Sequence, residues 1–127
     1  MYKCLLLIFF PIVLIAQTAT PPSSGDGSSS DPYQIDTLNN LYWITQNSGE
    51  WDKYYIQTSN IDASSSSGWD DGLGFTPLGN NSINFTGTYD GSGYVINDLN
   101  INRPSTNYTG LFGYTNGSTI KDLGVVN

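Results

Sequence analysis

The feature that most constrains this chain is a near-repeat in its C-terminal third. FTGTYDGSGYVINDLNI at residues 85–101 is followed by YTGLFGYTNGSTIKDLGVV at 108–126. Phe85-Thr86-Gly87-Thr88-Tyr89 aligns with Tyr108-Thr109-Gly110-Leu111-Phe112, 23 residues on. Ile96-Asn97-Asp98-Leu99-Asn100-Ile101 aligns with Ile120-Lys121-Asp122-Leu123-Gly124-Val125, 24 residues on. One residue is gained between the two blocks, within the turn sequences YDGSGY and GYTNGS, where an insertion costs little.

A period of 23–24 residues falls in the range where each repeat is one supersecondary unit and stacked neighbours bury a shared core. The L-x-x-L-x-L spacing of leucine-rich repeats is absent. Leu99 alternating with Ile101, and Leu123 with Val125, describes strands with one apolar face. Gly91, Gly93 and Gly117 can take the positive φ that tight corners need. The expectation is an all-β chain wound as a short parallel β-helix, with coils near 85–107 and 108–127. Its core ladder would place Ile96 over Ile120, Leu99 over Leu123 and Ile101 over Val125. Asp98 would then fall over Asp122, which puts both at solvated bends rather than inside.

A fainter coil precedes these near 53–63. Ile56 and Ile61 stand 40 residues before Ile96 and Ile101, one period plus a loop of about the size of 64–81. That loop, SSSSGWDDGLGFTPLGNN, is punctuated by Gly, Pro and Asn, yet carries Trp69, Leu73, Phe75 and Leu78. It reads as a connection that packs on the body. YQI at 33–35 reads as a short strand, and KYYIQTSNIDAS at 53–64 has strand character with Tyr54, Ile56 and Ile61 facing inward. One helix is indicated, over 37–47, because Leu38, Leu41, Tyr42 and Thr45 recur at helical spacing behind a Thr37 N-cap. At that length it needs cover, and it would cap the open first coil.

The N-terminus reads differently. MYKCLLLIFFPIVLIA, residues 1–16, has one lysine and then an apolar run, the layout of a secretory signal peptide. A membrane anchor is the competing reading, but the run is shorter than the ~20 residues a span needs and holds Pro11. Residues 17–32 are Pro/Ser/Gly-rich without apolar periodicity and read as a flexible leader. Cleavage would remove Lys3 and Cys4, the only cysteine, so the mature chain has no disulfide. Eleven acids against so few cations make nucleic acid a poor partner, because phosphate contacts need Lys and Arg. The charge serves solubility.

Gly110-Leu111-Phe112-Gly113, set in YTGLFGYTNGSTIKDLGVV, resembles the GLUG motif of bacterial surface and secreted proteins. These include adhesin-like exoproteins of the filamentous-haemagglutinin type and segments of bacterial IgA peptidases. FTGTYDGSGYVINDLNINRPS is similar to the half-repeat that leads into the motif, and GWDDGLGFTPLGN to the loop upstream. The resemblance spans roughly 32–127 and implies a right-handed β-helical module on an exported bacterial protein. It implies no set of catalytic residues, and the motif recurs on proteins with different tasks.

The chain contains no histidine, which excludes Ser-His-Asp and Cys-His catalysis, imidazole zinc sites and an HExxH peptidase motif. Carboxylates are the remaining acid–base groups: Glu50 with Asp52, Asp70 with Asp71, and Asp90 with Asp98. A facing pair about 5–9 Å apart could serve glycoside hydrolysis. Asp70, Asp71 and Asp90 are calcium candidates, because oxygen-rich loops bind that ion, though DDGLG lacks the alternating ligands of an EF-hand loop. Against both stands turn chemistry, in which an Asp beside Gly binds backbone N–H groups in the bend.

Trp43, Trp51 and Trp69, with Tyr54, Tyr55, Tyr89, Tyr94, Tyr108 and Tyr114, could form a sugar-stacking strip or serve as packing. Tyr94 and Tyr114 are the expected exposed members. Asn80, Asn84, Asn107 and Asn116 each open an N-x-Ser/Thr sequon, which turn preference explains in a bacterial protein. The reading at this point is a non-catalytic structural or adhesive module of a secreted or cell-surface protein. Its partners would be an extracellular glycan, a host or cell-surface protein, or further repeats of its own chain, with no cofactor. The alternative is the N-terminal part of a larger polysaccharide-active enzyme or peptidase. The end of the sequence directly after a strand leads to the expectation of a longer parent protein.

Overall fold

A computed structural model describes residues 17–127. The expected signal peptide at 1–16 lies outside the described residues. Strand β1 (Tyr33–Ile35) leads into helix α1 (Leu38–Gln46), followed by β2 (Tyr54–Gln57), β3 (Ile61–Asp62), β4 (Thr88–Asp90), β5 (Val95–Asn97), β6 (Thr119–Lys121) and β7 (Gly124–Val126). Short 3-10 turns occupy Ser48–Glu50, Ser64–Gly68 and Asp70–Gly72.

Helix α1 starts where its sequence predicts. The Thr37 hydroxyl accepts from the Asn40 N–H, and the Asn40 side-chain oxygen accepts from the Thr37 N–H. This reciprocal capping box satisfies two N–H groups that the first turn would otherwise leave unpaired. Leu38, Leu41 and Ile44 form the buried stripe, and the expected Tyr42 and Thr45 are half-buried at its margin. The Trp51 indole N–H donates to the Ile44 carbonyl at 2.7 Å, which fixes the helix C-terminal half against the body.

All strand pairs are parallel. One sheet runs β1-β2-β4-β6 and the other β3-β5-β7. The expectation of an all-β, right-handed β-helix with a capping helix is overturned. The chain is an α/β mixture of two small parallel sheets and one helix, and the sheets do not close into a solenoid. Leu38, Leu41 and Ile44 of the helix belong to the same apolar core as Tyr55, Phe85 and Ile96. Similarity between two segments implies neighbouring strands. It carries no information about whether successive sheets join.

The register also differs from the sequence alignment. Tyr89 pairs with Ile120 and Ile96 with Val125, so the expected stacks of Ile96 on Ile120 and Ile101 on Val125 do not form. Ile96 is fully buried, whereas Ile120 is 39% and Val125 48% exposed at the sheet edges. Leu99, Ile101 and Leu123 pack against the core while remaining partly accessible. The alignment had matched turn chemistry, FTGT to YTGL. In the structure Phe85 bridges Thr115 and Leu78 bridges Phe112.

Strand β2 is likewise out of phase with expectation. Tyr55 and Gln57 point inward, Ile56 is half-buried and Tyr54 is exposed. An aromatic column explains the choice: Tyr55 lies 5.7 Å from Tyr33, 6.2 Å from Phe85 and 6.4 Å from Tyr89 by ring centroids. Phe112 closes it edge-on against Phe85 and Tyr89 at 5.0 and 5.7 Å. Aromatic rings bury more area than isoleucine and gain from offset or edge contacts.

Asp98 and Asp122 stand at exposed bends with φ of 57° and 51°, the solvated position expected of them, although the stack that suggested it does not form. Of the predicted corner glycines, Gly93 and Gly117 adopt positive φ. Gly91 serves instead for close approach, since a Cβ there would lie 2.4 Å from the Asp122 carbonyl oxygen. Residues 17–32 are not a free leader. The Thr20 N–H donates to Asn39, its carbonyl accepts from the Asn40 side chain at 3.0 Å, and Ser24 and Gly27 carbonyls accept from Gln34 and Tyr54.

Candidate functional site

The long connection packs onto the body through buried Trp69, Phe75 and Leu78, with Leu73 exposed. Its far end lies beside the 103–108 loop, and between them and the end of α1 opens a cleft of about 420 Å³. The GLFG segment sets its shape. The Leu78 N–H donates to the Leu111 carbonyl and the Gly113 N–H to the Leu78 carbonyl, both at 2.8 Å, a short parallel pairing. A Cβ on Gly113 would lie 2.6 Å from the Gly79 carbonyl oxygen and 2.7 Å from that of Tyr108. Only glycine permits that approach. Gly110 is less confined, with one neighbour at 3.3 Å, Leu111 is buried and Phe112 joins the aromatic column.

Arg103 fastens the loop. Its guanidinium donates to the Phe75 and Gly74 carbonyls at 3.1 and 2.9 Å, to the Thr76 hydroxyl at 3.2 Å and to the Asp70 carboxylate at 2.9 Å. The Arg103 side chain is only 13% exposed, so its charge is spent within the protein. Trp51, 4% exposed, forms part of the cleft lining, and Tyr108, 63% exposed, stands at its rim. Tyr108 holds a φ of 60°, rare for a bulky residue, and its ring lies edge-on to Tyr114 at 5.4 Å.

The candidate acids are engaged separately, in ion pairs and turns. Asp70 pairs with Arg103. Asp90 accepts from the Ser92 N–H at 2.8 Å and pairs with Lys121 at 3.2 Å. Asp71 is exposed in the left-handed region beside Asp70. Among the described residues no three His, Cys, Asp or Glu side chains gather where a metal could bind. Glu50 instead accepts from the Tyr33 hydroxyl, and its backbone carbonyl accepts from that of Tyr55. Asp26 and Asp62 show the turn chemistry directly: hydrogen bonds from the Ser28 and Ser64 hydroxyls, then amides, hold their carboxyls below the usual range. Burial pushes the Tyr55 and Tyr89 hydroxyls well above the ordinary phenol range, with Glu50 adding to the shift at Tyr55.

The aromatic residues divide. Tyr55, Tyr89, Trp51 and Trp69 are core, Trp43 packs partly buried against it, and Tyr54, Tyr94, Tyr108 and Tyr114 are exposed. The exposure of Tyr94 and Tyr114 agrees with the sequence, whereas the prominence of Tyr108 and the role of Arg103 are not visible in it. A single arginine in a neutral loop was the available signal for the latter. Asn80 closes its own turn by accepting from the Ser82 and Ile83 N–H groups, both at 2.9 Å.

Two relatives are similar to most of the chain. Halomucin of Haloquadratum walsbyi is 40% identical over 95 residues, covering 71% of this chain and 1% of its own length. A putative Gly-rich membrane protein of Evansella cellulosilytica is 35% identical over 92 residues, covering 72% of this chain and 10% of its own length. The chain therefore spans a small fraction of the relatives it matches. Their names point to a cell-surface or membrane location. No family model and no solved structure matches the chain. Among the described residues no helix is long and apolar enough to cross a membrane.

Proposed function

We propose that this chain is a non-catalytic structural or adhesive module of a secreted or cell-surface protein, exported by the apolar segment at 1–16. The reading is supported chiefly by how the acids are used. Asp70 and Asp90 are each held by a cation, and Asp26, Asp62 and Asp90 by the N–H groups of their own turns. Beside exposed acids such as Asp36, Asp98 and Asp122, the surface presents amides, hydroxyls and the tyrosines Tyr54, Tyr94, Tyr108 and Tyr114, groups that suit contact. The GLFG segment is a GLUG-type repeat element in this proposal, and further segments of a longer parent would multiply weak contacts.

The two relatives are far longer than the matched region, which leaves room for the second reading, a parent enzyme whose chemistry lies elsewhere. Incubation of the purified chain with immobilised glycans and cell-surface proteins decides between binding and catalysis. Retention without cleavage supports the module. Release of reducing sugars or peptide fragments by this chain would overturn it.

A further inference from the structure

We infer that the cleft between the 76–81 segment and the 103–108 loop is a binding site for a neutral, pyranose-containing oligosaccharide, with Tyr108 as its stacking platform. This rests on the binding reading above and assigns it one place. The cleft volume, about 420 Å³, lies within the roughly 300–1,000 Å³ typical of small-ligand sites. Such sites combine an apolar surface with a few polar groups that orient the ligand.

Here the apolar surface is Trp51 within and Tyr108 at the rim. The Trp51 indole N–H is already committed to Ile44, so its ring offers an apolar contact rather than a donor. Polar groups come from Asn81, Ser105, Thr106 and Asn107, all exposed. Among the described residues, the side chains of Ser105, Thr106 and Asn107 have no protein hydrogen-bond partner, so amide and hydroxyl groups stand available to an incoming hydroxyl-rich ligand. An aromatic face beside unpaired amides and hydroxyls matches a sugar, which has an apolar C–H face and a polar rim of hydroxyls.

Charge narrows the ligand. The cleft lining contains no carboxylate, and its single cation, Arg103, is neutralised by Asp70 at 2.9 Å. The chain as a whole carries a net charge of −7, which disfavours an anionic glycan. A neutral hexose or N-acetylhexosamine oligomer fits that balance better than a uronate or a sulfated chain. The Tyr108 ring is also held, by its edge-on contact with the Tyr114 ring at 5.4 Å. A ring positioned before the ligand arrives loses less freedom on binding.

The test titrates the purified chain with cellotetraose, chitotriose, maltotetraose and, as the anionic control, trigalacturonate, followed by nuclear magnetic resonance and Trp fluorescence. At least one neutral oligomer is expected to bind with millimolar or tighter affinity, shifting resonances of Asn81, Asn107 and Tyr108, while trigalacturonate does not. Tyr108→Ala is expected to weaken binding tenfold or more, and Asn107→Ala several-fold. Tyr54→Ala, which removes an exposed tyrosine on β2 outside the cleft, should leave it unchanged. Unchanged thermal melts of the variants keep a folding defect apart from a binding defect. Absence of binding by every neutral oligomer, or binding that survives Tyr108→Ala, overturns the site. If protein partners are still retained in that case, the adhesive reading stands and the cleft alone falls.

Discussion

The Tyr89 hydroxyl donates to the Gln57 side-chain oxygen at 3.0 Å inside the protein, and both residues are fully buried. The Gln57 amide nitrogen donates onward to the Ser59 and Val95 carbonyls at 2.9 and 3.1 Å. Gln57 and Tyr89 lie on neighbouring strands of the four-stranded sheet, and Val95 opens the middle strand of the other. This clasp ties the two sheets by polar contacts where neither sheet closes on the other. Replacing Gln57 with Leu should cost about 1–3 kcal/mol, because the buried Tyr89 hydroxyl and Val95 carbonyl lose partners. Tyr89→Phe should cost about 1 kcal/mol, and the double variant less than the sum. Urea denaturation of the four proteins measures the coupling, and strict additivity would contradict it.

The two glycines of GLFG should behave differently. Gly113→Ala places a methyl against two backbone carbonyls that cannot swing aside, which should cost about 1–3 kcal/mol through displaced backbone. Gly110→Ala meets one atom at 3.3 Å and should stay within about 1 kcal/mol of the parent. Thermal melts of both variants check this, and equal effects would show that the motif is not a close-approach device.

Register makes a sharper comparison. Ile96→Ala removes a fully buried side chain and should cost about 2–5 kcal/mol. Ile120→Ala removes one that is 39% exposed on the edge strand β6 and should cost about 1 kcal/mol or less. Were the 24-residue alignment the true stack, the two isoleucines would be equivalent rungs with similar losses.

Alkali should unfold the protein through its buried phenols. Burial raises the folded-state values of Tyr89 and Tyr55 above the ordinary value of about 10. A raised folded value means that the unfolded chain releases these protons first. Their contribution is complete below about pH 10 and is progressively lost as pH rises beyond it. Absorbance at 295 nm should show exposed tyrosines ionising in an early step and the buried pair only with the loss of near-ultraviolet circular dichroism. Ionisation of all tyrosines in one step near pH 10, with the fold intact, would contradict their burial.

Local chemistry in the sequence determined local structure well. Thr37 announced the start of α1, the YQI and KYYIQ segments formed strands, and Asp98 and Asp122 took exposed bends. These outcomes depend on capping, strand propensity and the tolerance of Asp for left-handed bends, all of which act over a few residues. The repeat also signalled parallel strands correctly. Its phase is not legible in the sequence, because turn residues resemble one another wherever a turn occurs and FTGT matches YTGL without being its partner in space.

Only the tertiary structure decided which side chains share a core, and how the sheets and helix combine. Tyr55 displaced Ile56 from the interior of β2 because it meets Tyr33, Phe85 and Tyr89, residues up to 34 positions away. The cleft arises the same way, from Arg103 reaching back to Phe75 and from Gly113 admitting two carbonyls of distant segments. No short window of sequence contains both halves of those contacts. Composition and turn chemistry alone determined that this chain would be built of short strands, tight bends and polar, acidic loops. The close approach of backbones in the folded chain decided where those loops meet.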